Sequence, residues 1–227
     1  MFRPRMRTGR SWGPMALLCL GIGSSPALAG ADRDPAIVLA ANVRGRMQDD
    51  LARQSMEECE AGRRAEARNL RKLHFDRGQS LAERAVAQND RSAWAHFALF
   101  CNMGEIMRLD GETISSLFAL RRLLGELDRT LELDPRHSDA LAAKGTFLVR
   151  LPRLLGGDTE KGEALLREAI QLDPNAFSSR ITLAKTCDAR GDRAQAIAFA
   201  NRALQIAREQ GRADKIAQAQ ATLAELR

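Results

Sequence analysis

The chain has 227 residues, of which 44% are hydrophobic and 28% are charged, as is usual for a water-soluble globular protein. Aromatic residues make up only 4%, and there is no tyrosine. This composition argues against a fold built mainly from strands, which favour aromatic and β-branched side chains, so we expect an all-α fold.

The first 29 residues have the pattern of a secretory signal peptide. "MFRPRMRTGR" contains four arginines and no acid, the nine residues from Met15 to Gly23 are apolar, and Ala27-Leu28-Ala29 precedes a small residue. A membrane-spanning helix needs about 20 apolar residues, so this segment is too short to be one. We predict cleavage before Gly30 and an exported protein, located in the periplasm if the source is a Gram-negative bacterium.

Loss of that segment changes the charge balance. Without its four arginines the chain has 31 basic and 29 acidic residues, a net charge of +2 instead of +6. The two signs alternate along the remaining sequence, so no nucleic-acid partner is indicated. The sequence after residue 29 also contains no integral membrane segment.

Hydrophobic periodicity of about 3.6 residues predicts helices through most of the remaining chain. Residues 30–46 show no clear pattern and are predicted to be a mobile lead, whereas residues 47–227 form the predicted repeat domain. The predicted helices span residues 47–60, 63–88, 92–108, 112–132, 138–150, 159–172, 177–189, 192–209 and 212–226.

Short segments recur along the chain, which indicates internal repeats. "AERAV" at 82, "LDRTL" at 127, "LREAI" at 166 and "ANRAL" at 200 align, and the middle two extend to "LELDP" and "IQLDP". Asp-Pro ends a helix, because proline lacks an amide donor and forces the preceding residue out of the α region. The helices that follow align at the small residues Ala98, Gly145 and Ala184, where we expect paired helices to approach closely.

This pattern resembles the tetratricopeptide repeat (TPR) family over about residues 63–210. In the last unit, Leu183, Ala184, Gly191, Ala196, Ala203 and Leu204 occupy the family's Leu, small, Gly, Ala, Ala and Leu positions. The resemblance implies a short right-handed solenoid of helix-turn-helix repeats with a C-terminal capping helix, in which Ile216, Leu223 and Leu226 cover the last repeat. Relative to the last unit, the preceding units contain five and thirteen extra residues, near 151–157 and 104–120.

The resemblance also implies a non-catalytic module that binds an exported protein or peptide along its inner helices. Carried over residue by residue, the candidate groove-lining positions are Leu99, Asn102, Met103, Thr146, Arg150, Ile181, Lys185 and Asp188.

A narrower resemblance rests on "LELDP", "LPRLLGGD" and "LREAIQLDPN". These segments are similar to a subgroup that includes periplasmic TPR proteins associated with tripartite (TRAP) transporters. That resemblance implies an alternative function, namely a periplasmic carrier or transporter component that binds an apolar small molecule.

The stretch "LPRLLGGDTEKGEALL" has the glycine spacing of a phosphate-binding loop at Gly157 and Gly162. No Lys-Ser/Thr pair follows, no strand precedes, and three acids would repel an anion, so we interpret Gly157-Asp158 as a turn equivalent to Gly191-Asp192. Leu151, Leu154 and Leu155 are predicted to pack under the neighbouring unit, with the lip of a binding site as the alternative.

No arrangement of residues indicates an enzyme, a cofactor or a metal site. His74, His96 and His137 are scattered and are predicted to be surface or packing residues. Cys59, Cys101 and Cys187 would remain after cleavage. We favour three packed thiols over the alternative of one disulfide and one free thiol.

Overall fold

A computed structural model of the chain describes the backbone of residues 35–111 and 116–226, and the side chains of residues 50–111 and 118–226. The predicted signal peptide therefore lies outside the described residues. Within the described ranges the chain forms nine α-helices and one short 3-10 turn, Arg153–Leu155. The helices are α1 (Pro35–Arg64), α2 (Arg68–Gln88), α3 (Ala93–Asp110), α4 (Ser116–Leu133), α5 (Ser138–Arg150), α6 (Thr159–Leu172), α7 (Phe177–Ala189), α8 (Arg193–Glu209) and α9 (Ala213–Glu225).

The helices stack as antiparallel pairs. Each helix packs against the next one, and the odd-numbered helices also contact one another as α1 with α3, α5 with α7 and α7 with α9. Short connections between long helices favour this arrangement of neighbours. The all-α, solenoid-like repeat architecture predicted from the sequence is confirmed.

Most predicted helix bounds agree with the structure, and α5, α6 and α7 agree at both ends. The largest differences concern α1, which begins at Pro35 and continues to Arg64 instead of spanning 47–60. The segment predicted as a lead at 30–46 is thus helical in backbone from Pro35 onward. Gly62 lies inside α1, where the Phe75 ring packs against it and leaves no room for a side chain.

The small residues align where paired helices cross, as predicted. Ala98 and Ala184 are fully buried. A β-carbon on Gly145 of α5 would lie 2.8 Å from the carbonyl oxygen of Gly162 in α6, and one on Gly162 would lie 2.8 Å from that of Gly145. The absence of side chains on both glycines therefore permits the close approach of α5 and α6.

The helix ends follow local sequence signals. Helices α4 and α6 end immediately before the Asp-Pro pairs. Asp158 and Asp192 begin α6 and α8 by accepting hydrogen bonds from the amides of Lys161 and Gln195, at 3.0 and 3.1 Å. The turn interpretation of the "GGD" stretch is confirmed, and its left-handed residue is Gly156 (φ 88°), whereas in the last repeat it is Gly191 (φ 84°).

Aromatic side chains connect α3 to α5. The rings of Phe97 and Phe100 are 5.8 Å apart, and Phe100 lies 6.1 Å from Phe147 of α5. His137, at the start of α5, lies 4.6 Å from Phe97 and 4.9 Å from Trp94. Few aromatic residues exist in this chain, and this interface concentrates them.

The cysteines differ from the favoured expectation. Cys59 of α1 and Cys101 of α3 form a disulfide across 42 residues, and Cys187 is a buried free thiol. The interpretation as three packed thiols was wrong, because α1 crosses α3 at these two cysteines and brings their α-carbons within 6.6 Å.

The predicted C-terminal cap is confirmed, since Ile216, Leu223 and Leu226 of the C-terminal segment pack on buried residues of α7 and α8.

The two ends of the array are also in contact. At the start of α9, the guanidinium of Arg212 lies 3.5 Å from the carboxylate of Glu60 in α1, 152 residues away in the chain. The first and last helices of the described array therefore approach each other.

Candidate functional site

The predicted groove positions of the first unit do not form an open surface. Leu99 is 2% exposed and Asn102 is fully buried. The Asn102 amide donates to the Ser55 carbonyl oxygen and hydroxyl at 3.2 and 3.0 Å. Met103 is half-buried and packs on Leu99 and Ala82. These positions are covered because α1 lies on α3, a consequence of an N-terminal helix that the repeat alignment did not include.

Most positions predicted in the next two units lie closer to solvent, but Ile181 is only 5% exposed and belongs to a buried cluster with Phe177 and Ala203. Thr146 is half-buried, donates to the Ala142 carbonyl oxygen at 2.8 Å and lies 3.3 Å from the Thr182 hydroxyl. Arg150, Ile181 and Lys185 line one cleft. Asp188 is half-buried and is not among the residues that line this cleft.

The cleft has a volume of about 1000 Å³ and lies between the end of α5, the 151–158 connection with the start of α6, and α7. Its apolar surface includes Val149 and Ile181, and the hydroxyl-bearing residues Thr182 and Thr186 also contribute. Seven of its fourteen lining residues are charged: Arg150, Arg153, Asp158, Glu160, Glu163, Lys185 and Arg190. It is therefore an amphipathic surface with both signs of charge.

An ion pair joins the two walls of the cleft. The Arg190 guanidinium lies 2.5 Å from Glu163, whose other oxygen lies 3.5 Å from Arg167. Glu163 is only 8% exposed, so its carboxylate depends on these partners. Lys185 is 2.9 Å from Glu225 near the C-terminus.

Two cations of the cleft have no such partner. Within the part of the chain that the structure describes, the side chains of Arg150 and Arg153 form no ion pair or hydrogen bond, and both residues are exposed. They are available to carboxylates of a bound molecule, for which the planar guanidinium provides paired donors.

Sequence reasoning missed Arg153, Glu163 and Arg190 of this site. Arg153 lies in the connection before α6, Glu163 in the first turns of α6, and Arg190 at the end of α7. The repeat alignment assigned groove positions only to the inner helix of each unit, so it could not include these three residues. The signal that could have located the site was the five-residue excess at 151–157, which forms one wall.

The leucines of that connection are not packed. Leu154 is 99% exposed and Leu155 is 54% exposed, whereas Leu151 is half-buried. The favoured prediction that these side chains pack under the neighbouring unit was wrong for Leu154 and Leu155. Pro152 and the left-handed Gly156 turn the chain outward before α6 begins, so the two side chains point to solvent.

The buried thiol and the two histidines that pair with carboxylates lie on three separate helices. Burial raises the pKa of the Cys187 thiol, which keeps it in the poorly nucleophilic protonated form. His74 and His96 lie 2.6 and 2.7 Å from Glu58 and Glu126, in pairs contributed by different helices. No group of three or more potential metal ligands occurs among residues 50–111 and 118–226.

Comparison with known proteins identifies the fold. No family model and no curated protein matches the sequence. Among solved structures, a thermophilic TPR protein from Thermus thermophilus aligns with a TM-score of 0.52 at 18% identity, over 78% of this chain and 99% of that one. Pseudomonas aeruginosa PilF aligns with a TM-score of 0.51 at 19% identity, over 80% of this chain and 71% of that one.

At these identities the likeness concerns the fold. In the described ranges, no helix combines the length and the hydrophobicity needed to cross a bilayer. The chain has an all-α, TPR-like solenoid fold. This conclusion rests on the helix pairs, the close approach of helices at small residues, the Gly-Asp turns and the similar solved structures.

Proposed function

We propose that the chain is an exported, non-catalytic module that binds an extended, carboxylate-bearing peptide segment of a partner protein. The observation that carries the proposal is the cleft between α5, the start of α6 and α7, where the exposed Arg150 and Arg153 lack acidic partners within the described residues.

The chemistry of the cleft suits a peptide. An extended peptide offers carboxylates, backbone amides and apolar side chains in alternation. Arg150 and Arg153 can pair with the carboxylates, Thr182 and Thr186 supply hydroxyl groups, and Ile181 supplies apolar contact. The ion pair between Arg190 and Glu163 holds the two walls of the cleft together, which lowers the entropy lost on binding.

Export is supported by two independent features. Residues 1–29 have the composition of a signal peptide, and Cys59 and Cys101 form a disulfide, a bond that persists in oxidising compartments. The proposed location is therefore outside the cytosol, in the periplasm for a Gram-negative source.

The alternative function, a carrier of an apolar molecule that serves a TRAP-type transporter, fits this cleft less well. An apolar ligand would remove water from charged walls without replacing the lost hydrogen bonds, which is unfavourable. Native mass spectrometry of the purified chain separates the two functions, because a carrier would retain an apolar molecule of defined mass.

A display library of random peptides, screened against the purified chain, tests the proposal. We expect enrichment of acidic sequences. The affinity of the best peptide, measured by fluorescence anisotropy, should fall at least about tenfold in the double variant R150Q/R153Q, since two charge-assisted contacts are removed.

The matched control is R84Q/R91Q, which removes the same charge from two exposed arginines outside the cleft. It should retain the affinity of the unmodified chain within about twofold. Enrichment of no peptide, or equal losses in the two double variants, would reject the cleft as the binding site.

A further inference from the structure

Exposed apolar side chains are concentrated along one edge of the array. Consecutive helices are antiparallel, so the α1–α2, α5–α6 and α7–α8 connections lie at the same end of the stack as the end of α3 and the start of α4. We define the turn edge as residues 60–77, 105–111, 118–122, 147–163 and 185–197. Of seven large apolar residues that are substantially exposed in the described ranges, this edge contains six, namely Leu70, Leu73, Phe118, Leu154, Leu155 and Ile197.

The same edge is basic. Its ranges contain 15 basic and 10 acidic residues, a net charge of +5. The opposite edge, formed by residues 80–97, 126–144, 168–181 and 202–218, contains 10 basic and 11 acidic residues, a net charge of −1, and it contacts the turn edge at the Glu83–Arg122 and Arg212–Glu60 pairs. Positive and negative charges that nearly balance along the sequence are thus distributed unevenly over the folded molecule.

The apolar groups protrude instead of lining a groove. Leu154 is 99% exposed on the connection before α6, and Phe118 is 79% exposed in the first turn of α4. The connection is restricted by Pro152 and by Gly157, where a β-carbon would collide with the Leu151 carbonyl group. Leu154 is therefore presented on a constrained turn.

Cations flank these protrusions. Arg153 precedes Leu154, and Arg121 follows Phe118 by one helical turn. Both are exposed and have no ion-pair partner within the described ranges. Asp158 and Glu160 reduce the positive potential nearby, but the Asp158 carboxylate accepts the capping hydrogen bond from the amide of Lys161 at the start of α6.

We propose that the turn edge docks the protein onto an anionic lipid surface, with Leu154, Leu155 and Phe118 entering the interfacial region and the flanking arginines contacting lipid headgroups. Protruding leucines and phenylalanine with basic neighbours are the groups that partition into such an interface. A deformable bilayer can accept separate protrusions from successive turns, whereas a protein partner would need several matching pockets.

Vesicle co-sedimentation of the full chain, freed of its signal segment by secretion, tests the proposal. The vesicles contain phosphatidylcholine alone, or phosphatidylcholine with about a third phosphatidylglycerol. We expect binding to the anionic vesicles only, and weaker binding as salt screens the arginines. The variant L154S/L155S should bind at least about tenfold more weakly.

A second variant, R121Q/R153Q, removes charge without touching the leucines and should also weaken binding, whereas R84Q/R91Q on the opposite edge should not. Helical circular dichroism and retained peptide affinity of L154S/L155S would separate this surface from the peptide cleft. Absence of binding, equal binding to both vesicle types, or no effect of L154S/L155S would overturn the proposal. Self-association abolished by L154S/L155S, without vesicle binding, would overturn it in favour of a second copy of the chain.

Discussion

At the scale of single residues, packing depends on the absence of particular atoms. Gly145 and Gly162 face each other where α5 crosses α6, and each carbonyl oxygen occupies the space of the other residue's missing side chain. Leu166 closes the same contact, because its γ-carbon would lie 2.8 Å from a β-carbon on Gly145. One methyl group at this point must separate the helices.

We expect Gly145→Ala to destabilise the protein by about 1 to 3 kcal/mol, since neither the Gly162 backbone nor fully buried Leu166 can move freely. The control is Gly125→Ala in α4, where a β-carbon would meet nothing within 4 Å. That change should stabilise by about 0.5 to 1 kcal/mol through helix propensity. Urea unfolding of both variants measures the difference, and equal effects would contradict the close crossing.

At the scale of secondary-structure elements, α5 begins in an unusual way. Its N-cap is His137, whose Nδ1 accepts a hydrogen bond from the Ala140 amide at 3.4 Å. The ring can accept only when Nδ1 carries no proton, so the cap requires the neutral imidazole. Nε2 is buried beside the aromatic rings of Trp94 and Phe97, without a hydrogen-bond partner among the described residues.

Burial lowers the pKa of His137 below its ordinary value of 6.5, against the opposing charges of Asp139 and Asp134. Below pH 6.5 the unfolded chain takes up the proton first. We therefore expect His137 to leave stability unaffected above that pH and to reduce it as the pH falls through 6.5 toward the lowered folded-state pKa.

The variant His137→Asn tests this expectation, because asparagine is a good N-cap that does not titrate. The free energy of unfolding, measured between neutral and mildly acidic pH, should fall less steeply in H137N than in the unmodified chain. Identical pH profiles would show that the cap does not depend on the neutral ring.

At the scale of the whole molecule, the array approaches closure. Arg212 at the start of α9 contacts Glu60 of α1, which also lies 2.9 Å from Arg63. Partly exposed pairs of this kind contribute about 1 kcal/mol or less each, so the contact adds little to the stability of the fold. The disulfide between α1 and α3 fixes the helix that carries Glu60.

Glu60→Lys should separate the ends, since it places a further cation beside Arg63, Arg64 and Arg212. Small-angle X-ray scattering should detect a larger radius of gyration than for the unmodified chain at low salt. Glu57→Lys is the control, because Glu57 lies on the same helix but pairs with Arg53 of its own helix, at 2.6 Å. An unchanged radius in E60K would mean that the ends do not meet in solution.

Local signals were sufficient to determine much of the fold from the sequence. Asp-Pro pairs end α4 and α6, Gly-Asp turns begin α6 and α8, and hydrophobic periodicity located α5 to α9 to within a residue or two. These features depend on residues a few positions apart, whose backbone preferences are the same in any context. Arg150, Ile181 and Lys185 were predicted to lie on a common surface and do line one cleft, although their role in binding stays a prediction.

Contacts between residues far apart in the chain were decided only by the tertiary structure. The packing of α1 on α3 buries Asn102 and pairs Cys59 with Cys101, and the crossing of α6 with α7 places Glu163 against Arg190. The exposure of Leu154, contrary to expectation, likewise depends on what the neighbouring unit leaves uncovered. A repeat alignment records which residues are equivalent within each unit, whereas burial, ion pairing and closure of the array depend on how the units are oriented in space.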